Sequence, residues 1–267
     1  VTTLRGYILD LDGTVYLGER ALPGAVETIA ALRARGARIV FISNKPLEPG
    51  SAYAAKLTRL GIPTTPEEVI TSGRVMSAWL ARHAPRARVF VIGEPPLREE
   101  MRQAGITLVE EPAQIEYVVA AFDRTFDYRK WNIAFQAIKF YGAHFVATNA
   151  DRSCPVDGGE IPDCAGIIAA LEATTGKRVE MVAGKPSPLI IQTGVERMGV
   201  AARECLVVGD RLETDVVMGR RAGARTALVL TGVTRREQIA DAPVKPDYVL
   251  ENIGEVLTRV IANARRA

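Results

Sequence analysis

The sequence predicts an α/β fold: a Rossmann-like parallel-sheet core with an inserted α/β cap domain. Three observations carry the prediction. Short apolar runs alternate with segments of helical periodicity almost throughout the chain. The runs are apolar at successive positions rather than at every second one, as in strands covered by helices on both faces. Polar residues able to do chemistry stand directly after several of those runs, where ligands of open parallel sheets bind.

Strands are expected at 7–10 (YILD), 38–43 (RIVFIS), 88–93 (RVFVIG), 117–122 (YVVAAF) and 144–149 (HFVATN). Further strands are expected at 179–184 (VEMVAG), 205–210 (CLVVGD), 226–230 (TALVL) and 248–250 (YVL). Helical segments such as AVETIAALRARG, WNIAFQAIKFYG, CAGIIAALEATTG and LIIQTGVERMG lie between them, several closing on the glycine that commonly ends a helix. No short repeat or low-complexity segment interrupts the pattern.

Domain organisation follows from where the polar strand endings fall. Asp10, Ser43, Gly184-Lys185 and Gly209-Asp210 close four of the strands, whereas the segment from about His83 to Arg178 has βα units with few such endings. Ala84-Pro85 and the Gly176-Lys177-Arg178 turn look like its borders. A discontinuous core of 1–83 and 179–267 is therefore expected, interrupted by a cap of 84–178.

Composition narrows the function. The formal charge of +3 is mild and the arginines are scattered, unlike the concentrated basic surface of a nucleic-acid binder. No apolar run approaches the length of a membrane span, and a strand so near the start leaves no room for a leader. Cys154, Cys164 and Cys205 show no CxxC spacing, which argues against a disulfide framework or a zinc site. A reducing cytoplasm is the expected compartment, and a homo-oligomer is compatible with the sequence.

The stretch GYILDLDGTVY (6–16) carries the first chemistry. Asp10 and Asp12 end a strand with one residue between them, so both side chains leave the same face. Two like charges so placed require a cation between them or a shared proton. Asp210 ends another apolar strand and Asp215 follows at the opening of a helix. Four carboxylates at one sheet edge suit a hard divalent ion, and Mg²⁺ takes carboxylates together with waters and substrate phosphate. Lys185 precedes Ser187-Pro188, an N-cap followed by the favoured first helical residue, so it sits beside a helix N-terminus where anions are stabilised. Ser43-Asn44 adds a hydroxyl and amide donors. Lysine, donors and a magnesium site around two aspartates describe a phosphoryl group.

DLDGT (10–14), FISN (41–44), AGKPSP (183–188) and GDRLETD (209–215) resemble the four motifs of the haloacid dehalogenase superfamily. AFDRTFDY (121–128), VATNADRSCPVDGG (146–159) and CAGIIAALEATTGK (164–177) resemble its type IIA cap, as in p-nitrophenyl, pyridoxal-phosphate and sugar phosphatases. The resemblance covers essentially the whole chain. It implies that Asp10 is the nucleophile, forming an aspartyl-phosphate, and that Asp12 is the acid–base group. It also implies Mg²⁺ held by the Asp10 carboxylate, the Asp12 backbone carbonyl and Asp210, with Asp215 in direct or water-mediated support. Ser43, Asn44 and Lys185 would hold the phosphoryl oxygens. True dehalogenases lack the acid two residues after the nucleophile, so Asp12 favours a phosphatase.

The expected substrate is a small phosphorylated metabolite, and the cap loop Asn149-Ala150-Asp151-Arg152-Ser153-Cys154-Pro155 is the segment expected to meet it, through Asn149 and Asp151. An ordinary strand-to-helix connection is the other reading of that loop. Asp123-Arg124 reads as a structural ion pair or turn, or as a contributor to binding. Cys205 to Arg211 fits the C-x₅-R spacing of thiolate phosphatases, but Cys205 begins an apolar strand, where its thiol would not be activated. His83 and His144 fall at the end of a helix and the start of a cap strand, which argues against a histidine nucleophile. A non-hydrolytic, phosphate-accepting signalling module is the alternative from another class, and chain length weighs against it.

Overall fold

β1 (Gly6–Asp10) is buried at all its residues and has a parallel neighbour on each side, which explains why its apolar run does not alternate. The computed structural model describes residues 4–156 and 158–262. After β1 comes a small hairpin, β2 (Tyr16–Leu17) and β3 (Arg20–Ala21), then α1 (Ala25–Ala34) and β4 (Arg38–Ser43). α2 (Gly50–Arg59), β5 (Val69–Thr71) and α3 (Ser72–His83) follow. The chain continues through β6 (Arg88–Ile92), α4 (Pro95–Gln103), β7 (Thr107–Leu108), β8 (Tyr117–Ala120), α5 (Tyr128–Phe140) and β9 (His144–Ala147). A second hairpin, β10 (Ser153–Val156) and β11 (Gly159–Pro162), leads to α6 (Cys164–Thr175) and β12 (Met181–Val182). Then come α7 (Pro188–Met198), β13 (Cys205–Gly209), α8 (Val217–Arg221), β14 (Arg225–Val229), α9 (Gln238–Asp241) and β15 (Tyr248–Leu250).

These elements build two open sheets. The larger has the order β15-β14-β13-β1-β4-β5, and its pairings from β15 through β4 are parallel. The smaller has the order β12-β9-β8-β6-β7 and is parallel throughout. Each sheet has its own core. Leu9, Phe41, Leu57, Leu206 and Val208 lie in one, and Phe90, Val118, Ile138, Phe145 and Leu171 lie in the other. No helix among the described residues is long and apolar enough to cross a membrane.

The chain divides into two compact units. One holds the described residues up to Ser43, Gly50–Ile70 and those from Lys185 onward; the other holds Asn44–Pro49 and Thr71–Gly184. The second unit is larger than the segment 84–178 that the sequence suggested. α3 packs against α4, and β12 hydrogen-bonds to β9 rather than to any strand of the larger sheet. VEMVAG is thus a strand of the inserted unit, and only Met181–Val182 of it pairs. Asp157, within VATNADRSCPVDGG, lies outside the described residues.

Candidate active site

β1 delivers Asp10 to the carboxyl edge of the larger sheet with its side chain almost wholly buried. Thr14 Oγ1 donates to Asp10 Oδ2 at 3.3 Å, and the ammonium of Lys185 donates to Asp10 Oδ1. Lys185, also buried, donates to Asp215 Oδ1 at 2.8 Å as well. It arrives on the segment between β12 and α7 and not from a strand of the larger sheet, as its place after VEMVAG had suggested. The expected cap of α7 is present: Ser187 Oγ accepts from Leu189 N–H at 3.3 Å, with Pro188 opening the helix.

β13 and the π-type turn after it place the other two carboxylates. Residues 212–216 wind so that Asp215 folds back over Gly209, where Oδ2 accepts from Arg211 N–H at 3.2 Å. A Cβ on Gly209 would stand 2.2 Å from Asp215 Cγ, so only glycine admits that fold. Asp210 Oδ2 accepts from Val233 N–H at 2.7 Å. A Cβ on Gly232 would fall 1.9 Å from that oxygen, and one on Gly13, at φ +84°, 2.7 Å from it. Glycines on two separate loops thus make the recess that holds the Asp210 carboxylate.

Electrostatics set this cluster apart. Burial, partly offset by Lys185, pushes the Asp10 carboxyl well above the usual range. Burial and the charge of Asp215 push Asp210 up to about 6. Burial alone would lower Lys185, yet Asp10 and Asp215 outweigh it and hold the ammonium protonated. Oxygens of Asp10, Asp210 and Asp215 all lie within 4.8 Å of one another. Three buried carboxylates gathered beside the ammonium of Lys185 are a hard-oxygen donor set of the kind that suits a divalent ion of the magnesium type. The residues fit the ion.

Asp12 stands outside that trio. It is half-buried, and the hydroxyl of Tyr16 donates to its Oδ2 at 3.5 Å. Tyr16 is 1% exposed, and burial followed by the charge of Asp12 keeps its phenol protonated. Ser43 closes β4 in a buried position of the same unit.

The remaining sequence-derived residues belong to the inserted unit. Asn44 Nδ2 donates to Asp151 Oδ2 at 3.0 Å and to Oδ1 at 3.2 Å. Asn149 is fully buried; its Nδ2 donates to Asp163 Oδ1 at 2.9 Å, and its Oδ1 accepts from Thr148 Oγ1 at 3.0 Å. Asp163 in turn caps α6. Asn44, Asn149 and Asp151 therefore share one network with Asp163. Asp123 and Arg124 form ion pairs with Lys130 at 2.7 Å and with Glu94 at 2.7 and 2.8 Å, the structural reading of AFDRTFDY. Cys205 is buried, and burial pushes its thiol up to about 11, which removes the C-x₅-R alternative. Thr14, Tyr16 and the glycines 13, 209 and 232 were not picked out as site residues by sequence reasoning. Gly13 and Thr14 fall within DLDGT, Tyr16 within GYILDLDGTVY and Gly209 within GDRLETD, whereas Gly232 lies outside every motif quoted.

A parallel sheet whose carboxyl edge gathers three buried aspartates around a lysine, with a second α/β unit inserted in the chain, is the architecture of a hydrolase acting on phosphoryl groups. Comparison with known proteins makes this specific. Residues 7–107 match the family model described as haloacid dehalogenase-like hydrolase, and residues 182–256 match the one described as HAD-hydrolase-like. The chain is 39% identical to sugar-phosphatase AraL of Bacillus subtilis over 251 residues, 94% of this chain and 91% of that protein. A solved 4-nitrophenylphosphatase of Thermotoga maritima shares 36% identity at a TM-score of 0.91, covering 96% of this chain and 97% of the other. A glycerol phosphate phosphatase of Mycobacterium tuberculosis, solved in complex with magnesium, shares 33% identity at a TM-score of 0.86, covering 93% of this chain and 75% of the other. The chain belongs to the haloacid dehalogenase-like hydrolases, in their type IIA capped branch, and is a phosphoric monoester hydrolase.

Proposed function

We propose that this phosphatase hydrolyses small phosphomonoesters through an aspartyl-phosphate on Asp10, with Mg²⁺ as its cofactor. The observation that carries the reading is the buried cluster of Asp10, Asp210 and Asp215, two of whose carboxylates, Asp10 and Asp215, are bonded by the ammonium of Lys185. Asp10 attacks phosphorus as the bond to the leaving oxygen breaks, and Asp12 passes its proton to that oxygen. Water then attacks the aspartyl-phosphate, Asp12 takes the proton from it, and the Asp10–phosphorus bond breaks to restore the carboxylate. Acid–base help of this kind is worth about 10²- to 10⁴-fold. Lys185 fixes Asp10 for attack and, with the hydroxyl of Ser43, offers positive charge and a donor to the phosphoryl oxygens. The carboxylates of Asp10 and Asp210 and the backbone carbonyl of Asp12, with Asp215 directly or through water, would hold Mg²⁺, which would supply Lewis-acid stabilisation of the transferring group.

Asn44 and Asn149 act as supports in this reading, since both amides are committed to carboxylates of the inserted unit. Asp151, which is half-buried, remains the loop group proposed to accept hydrogen bonds from a hydroxylated leaving group. Sugar, glycerol and nitrophenyl phosphates, named for the relatives, are therefore the substrates to try first. Three buried cysteines carrying no disulfide suit a reducing cytoplasm. The test is phosphate release from such a panel with Mg²⁺, with chelator, and with Asp10→Asn. Release should require both metal and Asp10, the variant losing about 10⁴-fold or more. Activity that survives chelation or the substitution would sink the proposal.

A further inference from the structure

Tyr16 has no part in the steps above, yet its surroundings are built around one contact. The turn from 11 to 16 is tight: Val15 N–H and Tyr16 N–H donate to Leu11 O at 2.9 and 3.2 Å, and Gly13 N–H donates to Tyr16 O at 2.8 Å. This turn sets residues 12 and 16 side by side as a bridge and brings the buried phenol to Asp12 Oδ2 at 3.5 Å. That distance is long, as catalytic hydrogen bonds commonly are before substrate binds. The ring is held from its face. Lys56 of α2 puts Nζ 4.1 Å from the ring centroid, and the same ammonium pairs with Glu19, at the turn of the β2–β3 hairpin, at 3.1 Å. A cation so placed is attracted to the ring and tethers it.

We infer that Tyr16 is the positioning residue for Asp12, and that Lys56, clamped by Glu19, holds Tyr16 in place. The inference rests on the proposed role of Asp12 as acid and base. With the phenol donating to Oδ2, the proton that Asp12 exchanges resides on Oδ1. In the first half-reaction the Oδ1–H bond breaks and the proton passes to the leaving oxygen as its bond to phosphorus breaks. In the second, a proton of the attacking water passes to Oδ1 as the water oxygen bonds to phosphorus and the bond from phosphorus to the Asp10 carboxylate oxygen breaks. The phenol keeps its own proton throughout and donates to Oδ2 in both halves. Asp12 thus serves as acid and then as base without turning its carboxyl group.

A tyrosine that merely fills the core would affect all substrates alike. A positioning residue would not, because p-nitrophenolate departs without help from a proton and an alkoxide does not. The measurement is kcat/KM, which reports steps up to departure of the leaving group, for p-nitrophenyl phosphate and for glycerol phosphate. Tyr16→Phe is expected to lower kcat/KM about tenfold for glycerol phosphate and less than about twofold for p-nitrophenyl phosphate. Lys56→Met, which keeps the length of the side chain, should show the same bias at about threefold, and it carries the test if Tyr16→Phe fails to fold. Equal losses on the two esters, or none, would overturn the inference. Asp12→Asn run in parallel separates the two layers. If it shows the bias and neither Tyr16→Phe nor Lys56→Met does, only the positioning role falls. If it shows no bias, the acid role fails and the inference with it.

Discussion

The two units solve one problem differently. Both are parallel α/β sheets with acidic residues just beyond the carboxyl ends of their strands. In the inserted unit each buried acid has a partner of its own. Asp123 meets Lys130, Glu94 meets Arg124 through two parallel bonds, and Asp163 accepts from Asn149 and from the start of α6. In the larger unit Asp10 and Asp215 divide one lysine, and the Asp210 carboxylate is bonded by a backbone N–H in a glycine-lined recess. Paired acids of the first kind stabilise a fold, whereas acids left short of positive charge store a demand for a ligand. The difference separates scaffold from chemistry more clearly than the sheets themselves do.

The sharpest way to break the comparison is to disturb the larger unit's geometry while leaving all its charges in place. Gly209→Ala puts a methyl group where Asp215 now lies, and displacement by about 1 Å is enough to cost about 10²-fold in rate. We expect kcat to fall by that order with the circular dichroism spectrum retained. Near-normal turnover would mean that Asp215 need not sit over Gly209.

Metal and proton should compete for the same cluster. In the metal-free protein Asp210 rises from 3.8 to about 6, chiefly through burial. A carboxyl raised on folding contributes stability that is complete below its unfolded pKa and is lost as pH rises through the folded one. The metal-free protein should therefore lose stability between about pH 4 and 6, and added Mg²⁺ should restore it by binding the ionised form. The rise in Tm caused by Mg²⁺ is expected to be a few degrees larger at about pH 7.5 than at about pH 5. Equal shifts at the two pH values, measured by scanning calorimetry, would count against these carboxylates as the metal site.

The smallest effect on turnover should come from the inserted unit. Lys130→Met removes the partner of a buried aspartate and should cost about 2 kcal/mol of stability, read from denaturant unfolding. Its kcat on p-nitrophenyl phosphate should stay within about twofold, because Asp123 is paired for structure. A collapse of kcat without loss of stability would show that this unit's ion pairs also serve catalysis.

Sequence alone placed Asp10, Asp210 and the helix cap at Ser187, because each depends on its neighbours in the chain. An apolar strand ending in aspartate, or Ser-Pro before a helix, is a local pattern that survives whatever the tertiary fold does. It also identified the α/β class and the existence of an inserted unit. Tertiary structure decided that VEMVAG pairs in the smaller sheet, because an apolar run states that it is a strand but not which sheet completes its hydrogen bonds. It decided that Asn149 faces inward, since a polar residue in a loop can serve a ligand or a network equally well until its partners are known. It decided, too, that Lys185 bridges Asp10 to Asp215 and that glycines on two loops make room for Asp210. Those contacts join residues far apart in the chain, and only folding brings their charges close enough to interact.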